Sequence, residues 1–284
     1  MGIKIGDVSI TPIIEIDYPV PASFLLPDAT PENLAPDLDW LEPHFVTPNG
    51  ERLKMIIQAF LVESRGLKIV VDTCVGNDKK RALPAWNELD GPFLQEIRDA
   101  GFPREQVDLV VCTHLHIDHV GWNTMKVDGE WVPTFPNARY VMARPEFEYW
   151  RDEGEVNWGD VFGDSVAPVF EAGLVDLVDC DHEINPELQF FPTPGHTPGH
   201  CSIAVSSGSE EGVISGDVMH HPCQCAHPEW CSIADVDRDA AVAARRGFCE
   251  RFSDTGITVV GTHWAAPTAV LLTAYGDVWK TCVD

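Results

Sequence analysis

At four places in this chain a short apolar, β-branched run ends abruptly in histidine or aspartate. "DLVVCTHLHIDH" reaches His114, His116, Asp118 and His119, and "LQFFPTPGHTPGH" reaches His196 and His200. "EGVISGDVMHH" reaches Asp217, His220 and His221, and "ITVVGTHW" reaches His263. Runs this short and this rich in Val and Ile read as buried strands, so the ligand-type residues fall where strands give way to loops. In a regular strand His114, His116 and Asp118 share one face, and His119 joins them only if the chain bends. Of the eleven histidines, a lone one at such an exit would be a hydrogen-bonded or surface group. Several together with Asp118 and Asp217 alongside point to metal ligation.

Imidazole and carboxylate donors without thiolate suit zinc, manganese or iron rather than copper(I) or a sulfur cluster. Five histidines and two carboxylates are too many for one tetrahedral ion and suit two ions sharing one carboxylate. Cys223, Cys225 and Cys231 lie close together, but C-x-C-x5-C without a second cluster is a weak zinc signal.

The rest of the chain predicts strands and helices in alternation. Residues 4–16 read as one strand, followed by a proline-rich arm at about 19–44, irregular with one short helix and suited to a lid, binding loop or subunit contact. "RLKMIIQAFLVES" and "LKIVVDTC", joined by "RG", form a hairpin. "PFLQEIRDAG", "PEFEYWRDEG" and "DRDAAVAARRGFCERFSDTG" read as helices, and 151–175 as helical and mobile in part. "ARYVMAR" reads as a strand after a polar hairpin turning at "DGE". "GLVDLVD", "LQFFPTP", "CSIAVSS" and "EGVISGD" form a second series of strands, and "AVLLTAYGDVWK" a closing helix or strand. With no linker between halves, the order predicts one domain over residues 1–284, two β-sheets face to face with helices outside.

The 45 acidic against 19 basic residues give a formal charge of -26. With no Lys/Arg-rich stretch beyond "NDKKR", a nucleic-acid partner is not expected. The first residues lack a signal-peptide pattern, no apolar run is long enough to span a membrane, and the nine cysteines are scattered. A cytoplasmic location with free thiols, and no membrane partner, is the expectation.

The compound pattern H-x-H-x-D-H, then a distal His, an Asp and a final His, resembles the metallo-β-lactamase superfamily from about residue 56 to 267. The resemblance implies an α/β, αββα sandwich of two mixed sheets. Carried over by position, His114, His116 and His196 would hold one metal, Asp118, His119 and His263 the other, and Asp217 would bridge them. His196 takes the ligand's place directly after "TPG", leaving His200 to brace the loop. Two divalent ions, zinc by preference with manganese or iron as alternatives, would share a bridging hydroxide as nucleophile. Asp118 would orient it or shuttle a proton.

Within the superfamily, "THLHIDHVGWN", "TPGHTPGHCS" and "SGDVMHH" resemble the dinuclear-zinc N-acyl homoserine lactonases, and "GTHWAAPTA" the methyl-parathion-hydrolase-like enzymes. The lactonases commonly carry a tyrosine three residues past the bridging aspartate, where this chain has His220. A histidine there could donate to the oxyanion or protonate the leaving alkoxide. The implied activity is hydrolysis of a lactone or other carboxylic ester. The alternatives are an aryl ester or phosphotriester hydrolase, a thioester hydrolase resembling glyoxalase II, and, in a different class, an iron-dependent oxidoreductase. Trp122, Trp264, Phe24, Leu25 and Leu26, with Trp150 and Trp158, are candidates for a pocket taking a small molecule with an apolar acyl or aromatic group. The proline-rich arm makes a homodimer a further expectation.

Overall fold

The computed structural model describes residues 2–153 and 158–283. Among these described residues sixteen strands follow in chain order. The first nine are β1 (Ile3–Ile5), β2 (Val8–Pro21), β3 (Arg52–Ser64), β4 (Leu67–Val71), β5 (Leu109–Val111), β6 (Thr124–Val127), β7 (Glu130–Pro133), β8 (Arg139–Ala143) and β9 (Val175–Val178). The remaining seven are β10 (Glu183–Asn185), β11 (Leu188–Pro192), β12 (Cys201–Ser207), β13 (Glu210–Ile214), β14 (Thr258–Val260), β15 (Ala269–Tyr275) and β16 (Val278–Cys282). One seven-stranded sheet runs β1-β2-β3-β4-β5-β8-β9 and the other β10 to β16 in sequence order, while β6 and β7 form a separate hairpin. Both large sheets are mixed: β4, β5, β8 and β9 pair in parallel, as do β13 and β14, and the other neighbours are antiparallel.

Strand periodicity builds three layers of core. In β3, Phe60 and Val62 join Ile203, Val205 and Ile214 between the sheets, while Ala59 and Leu61 point the other way, toward Phe93, Ile97 and Phe147. In β13 and β14, Ile214 and Val260 face the first sheet, and Val213 and Val259 pack with Phe248 and Phe252 of the helix Arg238–Phe252. Strands buried on both faces read as continuous apolar runs, and two such sheets with helices outside make the αββα sandwich. Among the described residues no helix is long and apolar enough to cross a membrane.

Several expectations change. Residues 4–16 are two strands, because Gly6 adopts a φ of 57° and turns the chain between β1 and β2. The arm holds three short α-helical turns, Ala22–Leu25, Pro31–Leu34 and Leu38–Leu41, and a 3-10 turn, Ala35–Asp37, rather than one short helix. β9 belongs to the first sheet, not to the second series, because it pairs in parallel with β8. The closing segment is the hairpin β15–β16. Within 151–175, helix covers Arg144–Glu153, Phe162–Val166 and Ala167–Glu171, and 154–157 lie outside the described residues.

Candidate metal centre

All four apolar runs deliver their polar residues to one edge of the sandwich. His114 follows β5, His196 follows β11, Asp217 follows β13 and His263 follows β14. Side chains 80 and 144 residues apart in sequence meet there: His116 Nδ1 lies 2.8 Å from His196 Nε2, and His119 Nε2 lies 3.2 Å from His263 Nε2. Asp217 Oδ2 sits among five imidazoles. The Nε2 atoms of His263, His220, His119, His196 and His114 stand at 3.1, 3.3, 3.4, 3.5 and 3.8 Å. Asp118 reaches His119 and His263, at 3.6 Å to each Nε2.

The described residues contain four overlapping groups able to hold a metal ion, their ligand atoms within 4.8 Å of one another. They are His114–His116–His196, His114–His119–Asp217, Asp118–His119–His263 and His196–Asp217–His220. The first and third match the two triads expected from the sequence. His220, expected only as a catalytic candidate, also lies within ligand distance. His200 enters no group: its Nε2 accepts from the Asp217 backbone N–H at 2.7 Å, and its Nδ1 faces Thr193 Oγ1 at 2.8 Å. It braces the turn, and Gly216 makes room for it. A Cβ on Gly216 would stand 2.5 Å from His200 Nε2, and the residue's φ of 55° disfavours any other side chain. His221 is likewise structural, its Nε2 donating to the Phe45 carbonyl at 2.8 Å.

Outer partners set the orientation of each ring. His119 Nδ1 donates to Asp72 Oδ2 at 2.9 Å, His196 Nδ1 to Asp235 Oδ1 at 2.8 Å, and His263 Nδ1 to the Ile56 carbonyl at 2.9 Å. A ring that spends its proton on an acceptor at Nδ1 turns a lone pair at Nε2 into the centre, the tautomer a metal requires. Asp72 also binds the backbone and hydroxyl of Thr113 at 2.8 Å each, fixing the end of β5. Buried Glu146 accepts from the backbone of Leu115 and Gly199, tying the first ligand loop to the second. Sequence reading missed Asp72, Asp235 and Glu146. Their one signal was an acidic residue beside an apolar run, as in "VVDT", which becomes specific only when the partner is known.

The electrostatics ask for positive charge. Burial works against a charged His119, yet Asp217, Asp118 and Asp72 overcome it and hold its pKa well above the ordinary imidazole range. His263 is raised in the same way, burial opposing and Asp217 prevailing. Asp217 is held well below the usual carboxylate range despite its burial, through His263, His119, His220 and His114. His114 and His116 are pushed down, by burial first and then by neighbouring imidazoles. Facing Nε2 lone pairs on His119 and His263, and an Asp217 Oδ1 buried without a hydrogen-bond partner, fit divalent cations among these donors.

A cavity of about 410 Å³ opens onto this cluster, reaching His116, Asp118, His196, Asp217, His220 and His263. Its other walls are Ile16, Tyr18 and Val20 of β2, Phe24 and Leu25 of the arm, Met55 and Ile57 of β3, residues Leu83–Trp86, Trp158 and Ile233. Phe24, Leu25 and Trp158 therefore stand where expected. Trp122, Trp264, Leu26 and Trp150 do not line it. Trp122 stacks on Phe93 at 5.4 Å and donates to Glu15 at 2.7 Å. Trp264 is fully buried, folded over Gly261, and Leu26 is fully buried with Leu34 and Leu41. Trp150 donates to Glu146 and lays its ring 5.1 Å from His116. An aromatic beside a ligand in sequence points away from the cavity when the loop turns it into the core. Tyr18 and Trp86, which were not anticipated, meet at the cavity wall through a 2.9 Å hydrogen bond from Trp86 Nε1.

Comparison with known proteins finds the same fold elsewhere. The chain is similar to AidC, described as a dizinc quorum-quenching lactonase in complex with a product. The TM-score is 0.78 at 20% identity, covering 100% of this chain and 97% of that one. It is similar also to the hydrolase AbOPH of the beta-lactamase superfamily, with a TM-score of 0.81 at 24% identity over 100% and 96% of the two chains. An N-acyl homoserine lactonase from Bacillus sp is 26% identical over 182 residues, 60% of this chain. That match spans 65% of the relative, just under two thirds of its length. The family model for the metallo-beta-lactamase superfamily matches residues 54–246, which include all the ligand-type residues above except His263. With that match over most of its length and the αββα layers around the ligand edge, the chain belongs to the metallo-beta-lactamase superfamily.

Proposed function

We propose that this chain is a metal-dependent hydrolase of a neutral lactone or other carboxylic ester, N-acyl homoserine lactone-like in kind. The observation that carries the reading is the placement of an apolar cavity, with no Lys or Arg among its lining residues, directly on the histidine–aspartate cluster. The names of its relatives support the lactone, and full-length coverage by the solved structures supports the whole 1–284 chain acting as one domain.

His114, His116 and His196 would hold one cation, Asp118, His119 and His263 a second, and Asp217 both. Bound there, two divalent ions supply Lewis acidity toward the ester carbonyl and lower the pKa of a water to about 7. The chain's own groups do the rest. The apolar walls take up the acyl chain and exclude water. Asp118, which lines the cavity, orients the attacking water and accepts its proton. His220 lines the cavity beside Asp217, and its Nδ1 is buried without a partner. It donates to the carbonyl oxygen or to the departing alkoxide.

Tyr18, Phe24, Trp86 and Trp158 in the wall favour, as a second reading, an aryl ester or phosphotriester. A glutathione thioester would need cations that the wall lacks. The discriminating experiment is proton release in a pH-stat by zinc-loaded protein given a long-chain N-acyl homoserine lactone. Rapid release abolished by a chelator is expected. No release from protein that still carries two ions would overturn the lactone in favour of aryl esters. Asp217→Asn should keep the circular dichroism of the fold and lose most turnover. Full turnover in that variant would sink the paired-ion reading.

A further inference from the structure

Two residues beyond Asp217 the chain places Met219, fully buried. Its sulfur is approached by two thiols from different helices. Cys225 Sγ, on the helical turn Cys223–Ala226, lies 3.7 Å from Met219 Sδ. Cys249 Sγ, on the helix Arg238–Phe252, lies 3.8 Å from the same atom. Met219 Sδ and the two thiols that flank it therefore lie together within one apolar core. Three sulfurs about 2.3 Å from one ion, the length of a zinc–thiolate bond, stand about 4 Å apart when arranged as a triangle around it.

We propose that Cys225, Cys249 and Met219 form a second metal site, separate from the histidine centre, for a soft monovalent cation such as copper(I) or silver(I). Two thiolates and a thioether, with no nitrogen or oxygen donor, suit soft monovalent ions, and a three-sulfur set falls short of the four ligands that structural zinc takes. Binding replaces two S–H bonds by two metal–thiolate bonds and releases two protons, with no change of oxidation state. The product carries one net negative charge. The neighbouring Cys249 thiol and burial push the Cys225 thiol well up in the ion-free protein; buried Arg245, one helical turn before Cys249 and donating from Nε to the carbonyl of Val218 at 3.0 Å, opposes this with its positive charge. Cys225 thus gains its partners from other segments of the chain and not from Cys223 or Cys231 beside it in sequence. The site is independent of the hydrolase reading.

The test uses the reduced, zinc-loaded full chain under anaerobic conditions, with copper(I) supplied as its bicinchoninate complex. One copper(I) per chain should be withdrawn from the chelator, with X-ray absorption showing sulfur neighbours alone and zinc content unchanged. Cys249→Ser should weaken binding at least about 10-fold, the loss of one ligand. Met219→Leu, which conserves volume, should do the same without disturbing the core, and Cys180→Ser should have no effect. Failure to withdraw copper, nitrogen in its shell, or undiminished binding in both Cys249→Ser and Met219→Leu would overturn the proposal. The sulfurs would then be packing atoms only.

Discussion

The backbone N–H of Asp217 donates to His200 Nε2 across 2.7 Å, so the histidine nearest in sequence to His196 holds the backbone of the central carboxylate. His200→Ala should therefore retain both ions by elemental analysis. Urea denaturation should show a loss of about 1–3 kcal/mol, because a buried N–H is left without an acceptor. Loss of one ion from this variant would make His200 a ligand in place of His196.

Asp72 and Asp235 accept from the Nδ1 atoms of His119 and His196. Each orients a ring and fixes its tautomer. Asp72→Asn and Asp235→Asn should lower zinc affinity roughly 10–100-fold. Competition with a chromogenic chelator would measure this, and the deficit in turnover should shrink at saturating zinc. Affinities equal to wild type would show that the rings are held by packing alone.

Cavity and core aromatics should separate by kinetics. Trp86→Ala and Phe24→Ala remove wall surface, so KM for a long-chain ester should rise several-fold with little change for a short one. Trp122→Phe loses the bond to Glu15 and should instead cost about 1–2 kcal/mol of stability with KM unchanged. A chain-length effect in Trp122→Phe, or none in Trp86→Ala, would contradict the assignment of the wall.

Acid should destabilise the ion-free protein through two histidines buried neutral. Burial pushes His221 down to about 4 and His200 down to about 3. Both lie below the ordinary value near 6.5, so between those limits the unfolded chain binds more protons than the native one. Stability is present above pH ~6.5 and falls as the pH drops toward these lowered values. Thermal melts of chelator-treated protein from pH 7.5 to 4.5 should show a steady decline. A decline equally steep in His221→Gln would mean that this ring is not held neutral.

The local order was legible in the sequence because it is short-range physics. The nearly continuous apolar run in "KMIIQAFLVES", buried on both faces, and the three- to five-residue apolar runs before each ligand-type residue mark strands wherever they pack. The H-x-H-x-D-H spacing forces its side chains together within one loop. His196 and His200 each follow a "TPG", so their different partners are decided by the fold. What only the tertiary structure decided is which distant groups meet. β9 joined the first sheet because a parallel partner, β8, lay open to it, a choice no local pattern encodes. Asp72, Asp235 and Glu146 gained their roles from rings and loops contributed by other strands. Trp122 and Trp264 turned inward while Tyr18 and Trp86 came to the cavity wall, because burial depends on which surface lies opposite. Sequence fixes what each residue can bond; the packing of the two sheets selects which of those bonds are made.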